Sequence, residues 1–218
     1  MELHRDPKQV VADGYDQIAE RFAAWSTRIV DNVRDRYTDI LLDTLPRGAR
    51  VLELGCGSGS SGTTQALANR FDFTGIDISA RQIALAMQCL PPGTRLLHAD
   101  ATQLTLPPAS FDGVAAFYCF THIPREQQGP LITRVAGWLR PGGLLIASLG
   151  ARSDPGTFVV DWLGAPMFFS GYASSDSRAL IERAELEVIA AQDESIDEEG
   201  VSTTFFWVVA RKQQTTLR

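Results

Sequence analysis

Four glycines fall between Gly55 and Gly62 in the stretch VLELGCGSGSSG, directly after a short apolar run. Glycine lets the backbone turn sharply and approach a ligand with no Cβ in the way. Two carboxylates follow, each at the end of a later apolar run: Asp77 in FTGIDIS and Asp100 in LLHADAT. An acid about twenty residues beyond a glycine-rich turn is placed to accept hydrogen bonds from ribose hydroxyls. A second acid beside the same crevice can accept from an adenine amino group. Alone, Asp77 also reads as a cap on a helix starting near Ser79, and Asp100 as a turn residue. In this order, the three strand ends specify an adenosine site.

A base is best sought at His122 in CFTHIPRE, because a free imidazole titrates near neutrality, at about 6.5. The same histidine also reads as a helix-starting residue packed against the cleft. Tyr118 is a weaker candidate, since a phenol titrates at about 10. His98 lies within a strand and is read as packed or facing Asp100, and His4 belongs to a fraying end. The histidines and the three cysteines (Cys56, Cys89, Cys119) are scattered with no CxxC pair, so no metal site is expected. The acidic run DESIDEEG lacks the spacing of a calcium loop and reads as a solvated loop.

The elements that must position these residues follow from periodicity. Residues 3–45 read as helical: Val10, Val11, Tyr15, Ile18, Phe22 and Trp25 recur every three or four positions, and Ser26 is placed to cap a second helix. Strands are expected at 50–54, 71–76, 94–98, 113–117 and 144–149, with helices at 63–69, 79–89 and 125–139. Such alternation gives a mostly parallel sheet with helices on both faces, doubly wound because its crossovers are right-handed. Ligands bind such sheets where strand order reverses, beyond the carboxyl ends of the strands. After Gly150 comes an aromatic stretch without a clear period, then a helix at 175–184 and two closing strands at 186–192 and 203–211.

These segments resemble the class I S-adenosylmethionine-dependent methyltransferases, above all bacterial small-molecule enzymes, over residues 10–212. VLELGCGSG is similar to the family's first motif, FTGIDIS to its second and HADAT to its adenine-side motif. FDGVAAFYCFTHIP resembles its fourth-strand segment, and LRPGGLLIAS the turn and fifth strand. The resemblance implies an α/β fold: a doubly wound, Rossmann-like sheet, seven-stranded and mostly parallel, with a reversed final strand, N-terminal helices and a lid segment. It implies S-adenosylmethionine as cofactor, with Gly55, Cys56 and Gly57 beside the methionine part and Asp77 on the ribose. Ile78 would flank the adenine, Asp100 and Ala101 would read its edge, and Phe117 would contribute backbone. Tyr15, in GYDQIAERFAAW, would close over the cofactor.

The acceptor is expected to be a small apolar or aromatic molecule under the roof formed by the N-terminal helices and by Phe158, Trp162, Phe168, Phe169 and Tyr172. Relatives often carry Trp-Ser-His where this chain has Phe169-Ser170-Gly171, so their substrate chemistry does not transfer directly. Arg152 is placed to meet an acidic acceptor or to lie on the surface. The 218 residues read as one domain: a helical cap at 1–46, a cofactor-binding core at 47–150, a lid at 151–175 and a closing helix and hairpin at 176–218.

A net charge of −6 with no basic run argues against a nucleic-acid substrate. A charged N-terminus and the lack of a spanning apolar run point to a cytoplasmic chain without membrane contact. Oligomeric state is left open. An NAD-dependent dehydrogenase is the competing enzyme, since Gly57, Gly59 and Gly62 also fit GxGxxG. Against it stand the missing Tyr-x-x-x-Lys pair and the want of a second domain. A member that binds the cofactor without moving a methyl group is the other alternative.

Overall fold

The computed structural model describes residues 6–29 and 32–214. His4 and the helical reading of residues 3–5 lie outside the described residues. Helix α1 (Pro7–Ser26) starts with proline behind the N-cap Asp6, whose carboxylate accepts the Lys8 N–H. Proline has no N–H to waste there and its φ suits the first turn. Val10, Val11, Ile18 and Ala19 form its buried stripe. Ser26 does not cap a second helix: it is the last residue of α1, and its hydroxyl donates to the Ala23 carbonyl. The run Phe22-Ala23-Ala24-Trp25 contains no breaker, so the helix continues through it. Helix α2 (Asn32–Thr44) buries Val33, Tyr37 and Leu41.

The alternating core follows: β1 (Arg50–Leu54), α3 (Gly62–Arg70), β2 (Asp72–Asp77), α4 (Ala80–Cys89), β3 (Arg95–His98) and β4 (Phe111–Ala116). A 3₁₀ turn, Phe120–His122, leads to α5 (Arg125–Trp138) and β5 (Leu139–Gly150). The chain closes with β6 (Asp154–Trp162), β7 (Ala165–Gly171), α6 (Ser174–Arg183), β8 (Leu186–Glu198) and β9 (Val201–Lys212). The main sheet has seven strands in the order β3-β2-β1-β4-β5-β9-β8. The first five run parallel, and β9 pairs antiparallel with both β5 and β8, which is the reversed strand the sequence implies.

Both faces of this sheet are covered. Leu131, Ile132, Val135 and Ile181 from α5 and α6 pack in one apolar cluster. Tyr37, Leu41, Leu67 and Ile83 from α2, α3 and α4 pack in the other. Each fully buried aliphatic side chain contributes about 1.5–3 kcal/mol, so the β1–β4 centre of the sheet is firmly fixed. Strand order reverses between β1 and β4, and the crevice beyond their carboxyl ends is the ligand position of such sheets.

Two stretches depart from the sequence reading. DESIDEEG is not a loop: Asp193–Glu198 extend β8 in register with Val201–Phe206 of β9, leaving a tight turn at Glu199-Gly200. Both turn residues take positive φ, 55° and 92°, as a two-residue hairpin turn requires. The aromatic stretch after Gly150 is a second sheet, the β6–β7 hairpin, and β7 lies on α1. Gly14 makes that contact: a Cβ there would stand 2.6 Å from the Pro166 carbonyl oxygen. Arg21 donates to the Leu163 carbonyl, and Gln17 to the Gly164 carbonyl at 3.1 Å, gripping the hairpin turn.

The Gly14→Ala variant is therefore expected to lose about 1–3 kcal/mol through overpacking against backbone that has no room to move. Thermal unfolding checks this. A Tm within a degree of the parent chain would show that α1 and the hairpin are loosely joined.

Candidate functional site

The crevice is built from three loops that hold one another. Gly55, Gly57 and Gly59 have φ of 72°, 58° and 65°, which only glycine adopts without strain. The Gly55 and Cys56 N–H groups donate to the Ile76 carbonyl at 2.8 and 3.0 Å, and Gly57 N–H donates to Asp77 Oδ2 at 2.9 Å. Asp77 Oδ1 accepts from Ser79 N–H at 2.9 Å, and Ser79 in turn caps α4 by accepting from Gln82 N–H. Burial pushes the Asp77 carboxyl up to about 6, against the downward pull of these backbone N–H groups. It is 8% exposed, with acceptor capacity left for a hydroxyl.

Asp100 lies across the same crevice. Its Oδ1 accepts from the Thr102 N–H and hydroxyl, and its Oδ2 accepts from Lys8 Nζ at 2.5 Å, which leaves a lone pair on Oδ2. Burial works upward on its carboxyl, but Lys8 and Thr102 outweigh it and hold the group below the usual carboxylate range. Gln82, on α4, is a functional candidate the sequence reading missed. It lines the crevice at 1% exposure, and its amide N and O find no partner among the described residues. A glutamine early in a helix gives no sequence signal of its own. Beneath the loop, Glu53 is fully buried and accepts from Arg34 and Thr64 at 3.3 and 3.1 Å. Burial raises its carboxyl, and Arg34 works in the other direction.

The crevice opens into a second chamber of about 740 Å³, and Tyr15, Phe22, Tyr118 and His122 line both. At this junction His122 is fully engaged. Its Nδ1 lies 2.9 Å from the Phe168 carbonyl oxygen, and its Nε2 lies 2.9 Å from Tyr15 Oη. A carbonyl only accepts, so Nδ1 carries the proton and Nε2 accepts from the Tyr15 hydroxyl. Burial pulls the imidazole down to about 4, only partly offset by the Phe168 carbonyl. Burial likewise raises the Tyr15 phenol well above its ordinary value, with Asp77 adding to the effect. Both are neutral around pH 7.

Every residue expected in the cofactor site lines the crevice: Tyr15, Gly55, Cys56, Gly57, Asp77, Ile78, Asp100, Ala101 and Phe117. His98 does not face Asp100; its Nε2 bonds the Ile78 carbonyl oxygen at 3.0 Å on the exposed side of the edge strand. Of the expected roof aromatics, Trp162 and Phe169 line the chamber, joined by Trp25 and Phe22 of α1. Phe168 is buried outside the chamber, its ring 5.0 Å from that of Phe158, because neighbours on a strand alternate faces. Phe158 is 53% exposed, and Tyr172 stacks under the Arg125 guanidinium outside the chamber. Tyr118 holds a positive φ of 58°, a strained conformation that turns the chain at the end of β4 and is invisible in sequence. Arg152 lines the chamber and is exposed.

Strand order, reversed β9 and a glycine cradle at the β1–β4 switch point define a class I methyltransferase fold. Residues 51–143 match the family model described as a methyltransferase domain. It is 36% identical over 116 residues to 2-methyl-6-phytyl-1,4-hydroquinone methyltransferase of Synechocystis sp., covering 52% of this chain and 36% of that one. The chain spans less than half the length of that and similar curated relatives. Among solved structures it resembles 1,6-didemethyltoxoflavin-N1-methyltransferase of Burkholderia thailandensis, bound there to 1,6-didemethyltoxoflavin and S-adenosylhomocysteine. The TM-score is 0.72 at 19% identity, covering 98% of this chain and 93% of that one. The [4+2]-cyclase SpnF is similar as well, with a TM-score of 0.74 at 18% identity over 96% of this chain and 98% of that one. These two likenesses establish a shared fold.

The Glu53–Arg34 pair ties the helical cap to the glycine loop's strand. Arg34→Met strands a buried carboxylate and is expected to cost roughly 3–5 kcal/mol at neutral pH. The loss should shrink as pH falls and Glu53 takes up a proton. Urea unfolding of the variant at pH 5 and pH 8 checks both the size and the trend, and an equal loss at both would place the effect in packing.

Proposed function

We propose that this chain binds S-adenosylmethionine in the β1–β4 crevice and transfers its methyl group to a small aromatic or apolar molecule in the adjoining chamber. The observation that carries the reading is the junction: a crevice built for adenosine meets a second chamber at Tyr15 and His122. The cradle fits the cofactor. The positive-φ glycines leave the space a Cβ would fill, and the orphaned Gln82 amide faces the same cleft. When bound, S-adenosylmethionine supplies an electrophilic methyl group and departs as a neutral thioether.

The chain's own residues do the rest. Gly55, Cys56 and Gly57 pass their backbone beside the methionine part, and Asp77 with Gln82 holds the ribose. Ile78 flanks the adenine, while Asp100 and Ala101 read its edge and Phe117 contributes backbone. Tyr15 covers the cofactor, and His122 is the base candidate. Orientation of an acceptor in line with the methyl group supplies on the order of 7–11 kcal/mol in favourable systems, so little further activation is required. The chain is read as one unit: 1–46 as a helical cap, 151–175 as a lid on the 47–150 cofactor-binding core, and 176–218 as a closing helix and hairpin. A net charge of −6 favours a small-molecule acceptor over nucleic acid, and the unpaired cysteines suit a cytoplasmic setting. Among the described residues no helix is long and apolar enough to cross a membrane.

Thermal shift with S-adenosylmethionine, S-adenosylhomocysteine and NAD tests binding, and label transfer from methyl-labelled cofactor to an aromatic acceptor panel tests chemistry. At a hundredfold over Kd a ligand adds about 2.7 kcal/mol, a shift on the order of 5–10 °C for a chain of this size. Both sulfur ligands should shift the Tm and NAD should not. Binding with no transfer to any acceptor would favour a non-transferring member, for which the likeness to a cyclase is the specific support.

Asp77 yields a pH prediction. With its carboxyl at about 6 in the folded chain, the acceptor form is lost on acidification. S-adenosylhomocysteine affinity should be level above pH 7 and fall up to tenfold per pH unit below 6. Calorimetry at several pH values reads this, and Asp77→Ala should weaken binding and abolish the dependence. Unchanged affinity in that variant would remove Asp77 from the site.

A further inference from the structure

We propose that Tyr15 and His122 form a two-member proton relay for a phenol-type acceptor, with Tyr15 touching the acceptor hydroxyl and His122 receiving the proton through it. The proposal rests on the methyl-transfer reading of the site and names its acceptor class and its proton path. The geometry is specific. Phe168 contributes a carbonyl oxygen, which fixes the proton on His122 Nδ1, and the remaining nitrogen is taken by the Tyr15 hydroxyl at 2.9 Å. His122 therefore has no free atom with which to meet an acceptor while this bond stands. Tyr15 Oη still has a lone pair, and its side chain lines both cavities where they join. A proton leaving an acceptor at the junction reaches His122 by way of Tyr15.

The chamber selects the acceptor. Phe22, Trp25, Trp162 and Phe169 form one wall, with Trp162 ring centroids 5.8 Å from Phe22, 6.0 Å from Trp25 and 5.8 Å from Phe169. Such a wall takes a flat ring by edge and face contacts. Thr203 of β9 also lines the chamber; its hydroxyl donates to Glu198 Oε2 at 2.6 Å and keeps a lone pair to accept from a second polar group on that ring. An aromatic ring carrying a hydroxyl satisfies both walls.

The step balances. The acceptor oxygen forms a bond to the methyl carbon as the S–CH3 bond breaks, its electron pair passing to sulfur. The acceptor's proton moves to Tyr15 Oη, and Tyr15's own proton moves to His122 Nε2. The positive charge that began on the sulfonium ends on the imidazole, so the site's net charge is unchanged. The titratable groups acting on Tyr15 are Asp77 on β2, Cys119 beside the 3₁₀ turn and Glu198 on β8, and all three oppose a tyrosinate. The two protons consequently move together with the methyl group rather than before it.

The test compares wild type and Tyr15→Phe on two phenols: hydroquinone, un-ionised at pH 7, and an electron-poor nitrophenol, largely ionised at pH 8. Tyr15→Phe keeps the ring and loses only the hydroxyl. It should bind S-adenosylhomocysteine within about threefold of wild type, lose at least a hundredfold in kcat on hydroquinone, and keep most of its rate on the nitrophenolate. Equal slowing of both phenols would make Tyr15 structural, and no slowing of either would remove the relay. Nitrogen NMR of the free wild-type protein gives a readout independent of turnover: His122 should carry its proton on Nδ1 at pH 7, and a proton on Nε2 overturns the proposal. Wild type that binds S-adenosylhomocysteine but methylates no phenol refutes the acceptor class alone, whereas failure to bind it refutes the methyl-transfer reading beneath.

Discussion

The site hangs on one carboxylate held between two loops. Asp77 accepts an N–H from Gly57 on one side and from Ser79 on the other, so it fixes the glycine turn after β1 to the N-terminus of α4. Neither loop has a reason to hold its shape alone: the first is mostly glycine and serine, and glycine loses more conformational freedom on ordering than any other residue. A buried, hydrogen-bonded anion restrains that freedom from within. The same burial that raises the carboxyl to about 6 makes its N–H partners indispensable, since a buried charge without them is far costlier. A ribose that met Asp77 would find an acceptor already oriented.

The roof depends on that frame and reinforces it. Asp16 of α1 accepts from the Ser79 hydroxyl at 2.5 Å and from Arg81 N–H at 2.9 Å, placing a second carboxylate at the start of α4. Anions at a helix N-terminus are stabilising, so α1 docks where the core already presents unpaired N–H groups. One face of α1 thus carries Lys8 onto Asp100, Asp16 onto Ser79 and Tyr15 onto His122. Gly14, one residue before Tyr15, admits β7 against the same helix. Crevice and roof are one cooperative assembly, and a shift in α1 would disturb the adenine side, the ribose side and the junction together.

This division explains what could be read from sequence. The core was legible because its information is local: an apolar strand, its glycines and the next strand's acid lie within 51–79, and each residue type has one physical reason to be there. The β6–β7 hairpin and the outer end of the closing one were not. Asp193–Glu198 carry the composition of a solvated loop, and they form strand because β9, anchored by its buried run Phe205–Ala210, extends through Val201–Thr204 to pair with them. Phe168 and Phe169 are chemically alike and point to opposite sides once β7 exists, so composition alone could not say which one faces the chamber. His122 was visible as a candidate, but its state is set by Tyr15, 107 positions away, and by a carbonyl on β7. Gln82 lacked any signal because its distinction is what it fails to bond.

The same division bears on what relatives can teach. The segment that matches the family model, 51–143, contains the glycine loop, both strand-end acids and His122. The chamber's aromatic wall comes from Phe22 and Trp25 before it and from Trp162 and Phe169 after it. On the proposed reading, cofactor binding and acceptor choice fall largely to different stretches of chain, which meet where both cavities are lined by Tyr15, Phe22, Tyr118 and His122. Likeness in the first stretch constrains the second very little, because a wall of rings accepts many flat molecules and β6–β7 can be recut without touching Asp77. At Gly171, where the sequence resemblance leads one to expect an imidazole, a Cβ would stand 3.1 Å from the Cα of the facing Gly150. A side chain there would push the Gly150 backbone aside by a few tenths of an ångström. In the relay proposed above, proton transfer is organised from the α1 side, where the Tyr15 hydroxyl reaches the junction.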